Sequence, residues 1–200
     1  MQQVAVVTGA GSGIGQACAL ALLERDWHVA LIGRREAALR ETADRSGPNG
    51  DRALVLPCDI GDQQAIQAIA DAIVARLGRV DALVNAAGTN IPERSLAKLN
   101  VDDYQALINT NLNGAFYCAH AFLPHMRSQH SGTIVNISSV AGLRASKVAG
   151  VAYVMSKFGV NGLTESINIE ERANGIRACV ICPGEVNTPI LDLRPSPPPP

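Results

Sequence analysis

Short apolar runs alternate with longer amphipathic or alanine-rich runs along most of the chain. The short runs predict β-strands near 3–8, 28–33, 52–57, 80–85, 132–138 and 176–182. The longer runs predict helices near 14–25, 35–45, 62–77, 101–127 and 151–173. Such alternation is typical of right-handed βαβ units with a parallel sheet. We therefore expect an α/β fold of three layers, in which helices cover both faces of a doubly wound parallel sheet.

A glycine-rich turn joins the first predicted strand to the first predicted helix. Thr8-Gly-Ala-Gly-Ser-Gly-Ile-Gly15 follows the apolar run Val4–Val7. Glycines accept the positive φ of a sharp turn and leave room beside the main chain, and the first N–H groups of a helix attract anions. The strict G-x-G-x-x-G and P-loop patterns are both absent. The turn fits a pyrophosphate, and the alternative is a strand-to-helix connection that binds nothing.

The composition argues against several classes of partner. Of the 200 residues, 47% are hydrophobic and 4% are aromatic, and the formal net charge is −1. A chain this close to neutrality offers no electrostatic footprint for nucleic acid or an anionic membrane. No apolar run reaches membrane-spanning length and no signal-type segment opens the sequence, so we expect a cytoplasmic protein.

The cysteines and histidines form no pattern that indicates a metal site. Cys179-Val-Ile-Cys182 is formally a C-x-x-C motif among the five cysteines. It lies in an apolar β-like run, where residues three apart point to opposite faces, so we expect two small buried hydrophobic side chains. His120, His125 and His130 are spaced five apart and share no helical face. We expect no metal.

The second predicted strand ends in Gly33-Arg34-Arg35. Open α/β sheets bind ligands at the carboxyl ends of their strands, and an acid at this strand end would bind the ribose hydroxyls of NAD(H). A glycine followed by two arginines suits a 2′-phosphate instead, because guanidinium groups form paired hydrogen bonds with phosphate. The pattern favours NADP(H) over NAD(H), although Ser12 stands where a basic residue would strengthen the case. The alternative is that both arginines merely begin a solvated helix.

The third and fourth predicted strands end in further candidate contacts. Asp59 is placed to accept a hydrogen bond from an adenine amino group, and an equally good alternative is that Asp59 or Asp62 caps the next helix. The fourth strand ends in Asn85-Ala-Ala-Gly88. Small residues there would let a cofactor lie flat against the backbone.

Tyr153 precedes Lys157 by four residues, and both follow a Ser138-Ser139 pair at the end of the fifth predicted strand. Positions i and i+4 share a helical face, with Cβ atoms about 5–6 Å apart. The ordinary tyrosine pKa is about 10, and a neighbouring cation lowers it by roughly 1–3 units. Such a tyrosine can transfer a proton near neutral pH while a serine holds a substrate oxygen. This pattern suits alcohol–carbonyl interconversion, and taken alone it equally fits a packed tyrosine beside a surface lysine.

The chain resembles the short-chain dehydrogenase/reductase family, in its single-domain branch of about 250 residues. The resemblance runs from the first residues to about Leu191 and rests on several motifs in the family's order. They are the glycine turn, Asn85-Ala-Ala-Gly88, Asn111 within Asn-Thr-Asn-Leu-Asn-Gly, Ser139, Tyr153 with Lys157, and Pro183-Gly184-Glu-Val186-Asn-Thr188. The resemblance implies a Rossmann sheet in the order 3-2-1-4-5-6 and a nicotinamide cofactor.

The resemblance also implies roles for individual residues. Tyr153 would be the acid/base, Lys157 would hold the nicotinamide ribose and lower the tyrosine pKa, and Ser139 rather than Ser138 would orient the carbonyl. Asn111 would bend its helix and support a proton-relay water. The implied cofactor-binding residues are Gly9, Ser12, Gly13, Ile14, Gly15, Arg34, Arg35, Asp59, Ile60, Asn85, Ala86, Gly88, Tyr153, Lys157, Pro183, Gly184, Val186 and Thr188.

The end of the sequence departs from the family pattern. The family continues past Thr188 into a substrate-covering segment, a helix and a final edge strand, whereas this sequence ends in Pro195-Ser-Pro-Pro-Pro-Pro200. We expect residues 1–191 to form the dinucleotide-binding and catalytic domain, without the final edge strand, and 192–200 to form an extended or disordered tail. In the family, the helices that correspond to residues 101–127 and to the helix of Lys157 usually form the dimer interface. We therefore expect a homodimer or homotetramer.

The sequence therefore predicts an oxidoreductase that transfers a hydride between NADP(H) and a small-molecule ketone or secondary alcohol, with NAD(H) as the alternative cofactor. The competing hypothesis is a dinucleotide-binding protein with little or no turnover, because the substrate cover is absent. The sequence does not identify the substrate.

Overall fold

The computed structural model describes residues 2–194. The strands in this part of the chain are β1 (Val4–Thr8), β2 (His28–Gly33), β3 (Ala53–Pro57), β4 (Ala82–Asn85), β5 (Gly132–Ile137) and β6 (Ile176–Ile181). The α-helices are α1 (Gly13–Leu23), α2 (Glu36–Arg45), α3 (Gln63–Leu77), α4 (Val101–Ile108), α5 (Gly114–Gln129) and α6 (Val151–Glu171). Within residues 2–194, no helix is both long and apolar enough to cross a membrane.

The sheet is parallel throughout, in the order β3-β2-β1-β4-β5-β6. Thr8 at the end of β1 lies opposite Ile32 of β2 and Asn85 of β4, so the carboxyl ends of these strands meet at one edge. The direction of winding reverses between β1 and β4, and open α/β sheets bind ligands at such a switch point. The expected doubly wound parallel sheet and its strand order are confirmed.

The core consists of two apolar layers, one on each face of the sheet. One layer packs Ile66 of α3 and Phe122 of α5 against strand residues such as Ile134. The other packs Leu23 of α1 and Leu39 of α2 against the opposite face. Successive side chains of a strand point to opposite faces, so strands without polar interruptions supply both layers.

The region predicted as a single helix over 101–127 is interrupted. Residues Asn109–Asn113 form a π-helical turn between α4 and α5. Asn111, which is 2% exposed, bonds with its side chain to the backbone of Thr89, 22 residues earlier. The hydrophobic pattern continues through the turn and gives no sign of it, whereas the family resemblance implied a bend at Asn111, which lies inside the turn. Single π turns of this kind occur frequently at functional sites.

The expectation that Cys179 and Cys182 are buried is wrong. Cys179 is exposed, and Cys182, just beyond β6, is half-buried; both are free thiols. The strand β6 lies at the edge of the sheet within residues 2–194, and Arg177, Cys179 and Ile181 on one of its faces are all exposed. An apolar edge strand can be covered on one face only, and its sequence pattern does not distinguish this case from a buried strand.

The segment after β6 ends in a short 3₁₀ turn, Pro189–Leu193. This turn runs across the boundary predicted at residue 191. The remainder of the predicted proline-rich tail, residues 195–200, lies outside the described residues. The division of the chain into a domain and a tail stays a prediction.

Candidate functional site

A cleft of about 350 Å³ lies at the carboxyl edge of the sheet. The turns that follow β1, β2, β3 and β4 all contribute to its wall. The predicted cofactor-binding residues that line it are Gly9, Ser12, Arg34, Arg35, Asp59, Ile60 and Gly88. Gly11, from the same glycine turn, also lines it, and further lining residues outside the predicted set include Cys58, Thr89 and Thr110.

Two glycines of the turn after β1 are required by close backbone contacts. Gly9 has a φ of +65°, and a Cβ at this position would lie 2.8 Å from Cα of Ala87. A Cβ at Gly15 would lie 2.4 Å from the carbonyl oxygen of Gly9. The helix α1 opens with Gly13-Ile14, and its N-cap residue Ser12 forms no capping side-chain hydrogen bond. No capping side chain therefore occupies the first N–H groups of α1, and free N–H groups at a helix N-terminus suit a bound anion.

The two arginines after β2 are exposed and line the cleft. Neither Arg34 nor Arg35 forms an ion pair with any residue among 2–194. One helical turn further on, Arg40 is paired with Glu36 instead. Two guanidinium groups without a carboxylate partner in the described residues therefore border the cleft where β2 ends.

The structure gives the two acids after β3 different surroundings. Asp62 caps α3, because its side chain accepts a 3.0 Å hydrogen bond from a first-turn N–H. Asp59 is exposed at the cleft and accepts a 2.9 Å hydrogen bond from the N–H of Gly61. The side chain of Ile60 is 5% exposed and belongs to the apolar core. Of the two alternatives raised by the sequence, capping therefore belongs to Asp62, and Asp59 faces the cleft.

The Asn85 side chain lies in the interior rather than in the cleft. Its Nδ2 donates to Oδ1 of Asn136 at 2.9 Å, and the residue is 5% exposed. The N–H groups of Ala86-Ala87 both donate to Oγ1 of Thr8, each at 3.1 Å. Thr8 thereby fastens the end of β1 to the end of β4. Of the predicted residues in this stretch, Gly88 lines the cleft.

Gly88 is also the point at which the cleft meets a buried polar cluster. A Cβ at Gly88 would lie 3.6 Å from Oδ1 of Asn111 and 3.7 Å from Nζ of Lys157. Asn111 accepts a 2.8 Å hydrogen bond from the N–H of Thr89 and donates to the Thr89 carbonyl at 2.9 Å. Its Nδ2 also lies 3.4 Å from Oγ of Ser156 on α6. Asn111 therefore ties the turn after β4 to α6.

Lys157 is buried in this cluster on the same face of α6 as Tyr153. Its Nζ lies 5.5 Å from the centroid of the Tyr153 ring and donates to the carbonyl of Ile137 at 2.8 Å. Burial lowers the pKa of Lys157 to about 8, an effect that the nearby Cys182 opposes. The ammonium form therefore predominates only below about pH 8.

The hydroxyl of Tyr153 shares a hydrogen bond with the side chain of Ser139. Burial raises the pKa of Tyr153 above its ordinary value, and the Ser139 hydrogen bond and the charge of Arg94 oppose this rise. The sequence led us to expect a lowered value, because only neighbouring charges are visible in it and desolvation is not. Ser138 instead donates to the Lys157 carbonyl at 3.2 Å and is buried. The structure thus brings Ser139, not Ser138, to Tyr153.

The segment after β6 lies against the turn after β5 and against the glycine turn. The carbonyl of Pro183 accepts a 3.0 Å hydrogen bond from the turn after β5. Thr188 packs over Gly13, where a Cβ would lie 3.1 Å from Cγ2 of Thr188. Gly184 and Val186 are exposed. Of these four predicted residues, Thr188 is the one in contact with the glycine turn.

Three residues of the site carried no signal in the sequence for the contacts they make. They are Thr8, Thr89 and Arg94, and the partners described for them lie 78, 22 and 54 residues away along the chain. Arg94 is 5% exposed, close to Tyr153. Only the assembled fold brings such distant positions together.

No group of three or more His, Cys, Asp or Glu side chains within residues 2–194 could hold a metal ion. His125 lies 3.7 Å from Asp71, as an isolated pair on the surface.

Known proteins match this sequence over most of its length. The family model for the short chain dehydrogenases matches residues 3–197. The 3β-hydroxysteroid dehydrogenase of Mediterraneibacter gnavus is 34% identical over 194 residues, which cover 96% of this chain and 68% of that protein. An uncharacterised oxidoreductase of Staphylococcus epidermidis is 32% identical over 191 residues, or 96% of this chain and 81% of that protein.

Solved structures of the same kind superpose closely on the described fold. A metagenomic short-chain oxidoreductase in complex with NADP is 38% identical, with a TM-score of 0.86 over 92% of this chain and 83% of that one. ElxO with NADP bound is 31% identical, with a TM-score of 0.90 over 96% of this chain and 77% of that one. Together with the family match over almost the whole sequence, these likenesses establish that the chain belongs to the short-chain dehydrogenase/reductase family of NAD(P)-dependent oxidoreductases.

Proposed function

We propose that the protein is an NADP(H)-preferring oxidoreductase that interconverts a ketone and a secondary alcohol. The observation that carries this proposal is the meeting, at Gly88, of the glycine-lined cleft with the cluster of Tyr153 and Lys157. A group that can transfer a proton there adjoins a cleft shaped for a dinucleotide. That juxtaposition suits a reaction in which a proton and a hydride move at the two ends of one carbon–oxygen bond.

The residues of the cleft fit a nicotinamide dinucleotide along its length. The diphosphate would lie against Gly9, Ser12 and the N-terminus of α1 (Gly13, Ile14 and Gly15), where a side chain at Gly9 or Gly15 would collide with backbone. Asp59 would accept from the adenine amino group, with the Ile60 backbone beside it. The backbone at Asn85, Ala86 and Gly88 would follow the ribose, and Pro183, Gly184, Val186 and Thr188 would border the nicotinamide.

The proposed chemistry assigns one task to each member of the polar cluster. The bound nicotinamide supplies or accepts the hydride. Tyr153 donates a proton to the carbonyl oxygen in reduction and removes it from the alcohol in oxidation, and Ser139 orients that oxygen. Lys157 would hold the nicotinamide ribose and, while it is protonated, stabilise the ionised Tyr153. Asn111 holds the turn after β4 against α6 and, through the backbone near it, supports a water that relays the proton.

The preference for NADP(H) rests on Arg34 and Arg35. Both border the cleft where the adenosine ribose would lie, and neither has a carboxylate partner among residues 2–194. Guanidinium groups in that position favour a 2′-phosphate. Two of the related structures, the metagenomic oxidoreductase and ElxO, contain NADP, which supports the same preference.

The proposal is tested by following NADPH oxidation over a panel of carbonyl compounds and NADP⁺ reduction over the matching alcohols. Ketosteroids and hydroxysteroids belong in the panel, because a relative is a 3β-hydroxysteroid dehydrogenase and the exposed Val140, Leu143 and Val148 near the site are apolar. Turnover that Tyr153→Phe abolishes supports the enzyme. NADPH binding without turnover on any substrate supports the competing hypothesis of a binding protein.

We also propose that a second copy of the chain covers the outer faces of α5 and α6. Phe116, Met155 and Phe158 are each nearly half exposed there, a large apolar area to leave in water. Light scattering should show a dimer or tetramer, and Phe158→Glu should shift it towards the monomer. Leu96→Glu is the matched control, since Leu96 is an exposed apolar residue outside these two helices. The cytoplasmic location remains a prediction from the sequence.

A further inference from the structure

Arg94 lies in the turn after β4 and binds three separate segments of the chain. Its Nε donates to the carbonyl of Ile91 at 2.6 Å, and its Nη1 donates to the carbonyl of Val148 at 2.9 Å. Its Nη2 donates to the carbonyl of Leu193. These carbonyls belong to its own turn, to the turn before α6 and to the segment after β6. One side chain therefore connects three segments of the chain near Tyr153.

The aliphatic part of Arg94 also packs against the start of α6. Gly150, the N-cap residue of this helix, has a φ of +81°, and a Cβ there would lie 2.5 Å from Cβ of Arg94 and 2.7 Å from its Cγ. Tyr153 follows three residues later, in the first turn of the helix. The position of the Tyr153 ring is therefore coupled to the packing of Arg94.

The charge of Arg94 is not neutralised within the described residues. The residue is 5% exposed, its three acceptors are uncharged carbonyls, and none of its nitrogens forms an ion pair with a carboxylate in residues 2–194. Arg194 is a like charge close enough to act on Arg94, and it is itself paired with Glu185. Burying a cation without a counter-ion is costly. Such an arrangement stabilises any negative charge that forms nearby.

We propose that Arg94 is a positioning residue for Tyr153: it locks the turn before α6 and the segment ending at Leu193 onto the turn after β4, and holds an unneutralised positive charge that favours the ionised Tyr153 hydroxyl. This inference rests on the proposed function, in which that hydroxyl transfers the proton.

The other groups that face Tyr153 do not duplicate this charge. Ser139, after β5, contributes a neutral hydrogen bond. Lys157, on α6 itself, has a pKa of about 8 because it is buried, so its charge is lost as the pH rises further. A guanidinium group stays protonated through that range. Arg94 is therefore the cation that still acts on Tyr153 where the tyrosine begins to ionise.

The test measures the ionisation of Tyr153 directly, from the ultraviolet absorbance of tyrosinate in the protein minus that in its Tyr153→Phe counterpart. Arg94→Met should raise the apparent pKa of Tyr153 by about one unit, both in the free protein and in its NADP⁺ complex. Arg94→Lys, which keeps the charge, should raise it by less than half as much. Lys147→Met removes one exposed cation from the same turn before α6 and should leave it unchanged.

The locking role has its own readout, which is hydrogen exchange of the backbone over residues 183–194. Arg94→Lys cannot reach three carbonyls at once, so exchange in this segment should become several-fold faster while exchange in β1 stays the same. Unchanged exchange overturns the locking role. If Arg94→Met does not fold, Arg94→Gln is the neutral variant, since it keeps one donor.

The electrostatic role is overturned if Tyr153 titrates alike in the wild type and the neutral variant, or if Arg94→Lys shifts the pKa as far as Arg94→Met. Titration of the free protein requires neither a substrate nor a bound cofactor. A carbonyl panel without turnover would therefore count against the proposed function while this measurement still decides the role of Arg94.

Discussion

The two ends of the cleft are built in different ways. The end at β1 and β2 is made of backbone and exposed side chains, from Gly9 to Arg35, that follow one another closely in sequence. The end at α6 is made of buried side chains held by long-range hydrogen bonds, such as that between Lys157 and the Ile137 carbonyl, 20 residues apart. In the proposed function, binding at the first end depends on turn geometry, and proton transfer at the second depends on burial. A substitution that disrupts one end of the cleft should therefore leave the other end intact.

Of the substitutions considered, Tyr153→Phe should separate turnover from cofactor binding most clearly. Removing the hydroxyl that we propose transfers the proton should lower kcat by about 10²–10⁴-fold, while NADPH affinity stays unchanged, because the ring and its packing remain. Steady-state kinetics and a fluorescence titration with NADPH measure the two quantities. Tyr104→Phe, on α4 away from the cluster, is the control and should alter neither. An equal loss of cofactor affinity in Tyr153→Phe would show that the two ends are not independent.

Gly15→Ala should disrupt the cofactor-binding end of the cleft, at the turn after β1. Its new Cβ would lie 2.4 Å from the Gly9 carbonyl oxygen, which is fixed backbone, so unfolding free energy should fall by about 1–3 kcal/mol and NADPH binding should be lost. The matched control is Gly162→Ala within α6, where a Cβ meets nothing within 4 Å. That change should stabilise the protein by about 0.5–1 kcal/mol. Chemical denaturation measures both, and equal effects in the two variants would contradict the steric argument.

Replacing both Arg34 and Arg35 with alanine should change the preference of the protein for NADPH over NADH. Loss of the hydrogen bonds that we propose these arginines make to the 2′-phosphate should weaken NADPH binding by about tenfold, or ~1.4 kcal/mol, and leave NADH binding unchanged. Parallel titrations with the two cofactors measure the ratio. Arg40→Ala, an arginine of α2 already paired with Glu36, should change neither affinity. An equal loss for NADH and NADPH would show that the arginines do not recognise the phosphate.

The last prediction concerns the pH dependence of stability at the α6 end of the cleft. The folded pKa of Lys157 is about 8, below its ordinary value of 10.5, so between these values the unfolded chain binds a proton that the folded chain does not. Stability should therefore rise with pH in this window, by at most about 1.4 kcal/mol per unit. The raised pKa of Tyr153 acts in the opposite direction only above about pH 10.

Lys157→Met removes this contribution and keeps a side chain of similar length. Thermal unfolding of the free protein from about pH 7.5 to 9.5 should show the wild type gaining stability relative to the variant. Parallel curves would mean that Lys157 keeps its ordinary pKa, and hence that burial does not govern this end of the cleft.

The sequence by itself determined the layered fold, the order of its elements and the two most informative motifs. Each of these depends on neighbours in the chain: hydrophobic periods for strands and helices, glycine for the turn at Gly9, and a spacing of four for Tyr153 and Lys157. Local steric rules are the same in every fold, so such features can be predicted without knowing what packs against them.

Only the tertiary structure decided the exposure of Cys179, the direction of the Tyr153 pKa shift and the burial of Arg94. Each depends on desolvation or on a hydrogen bond to a segment far away in sequence. The free energy of a charge or a polar group is set by what surrounds it in space. A linear pattern shows which groups are present, whereas the folded chain determines which of them lose water and which find a partner.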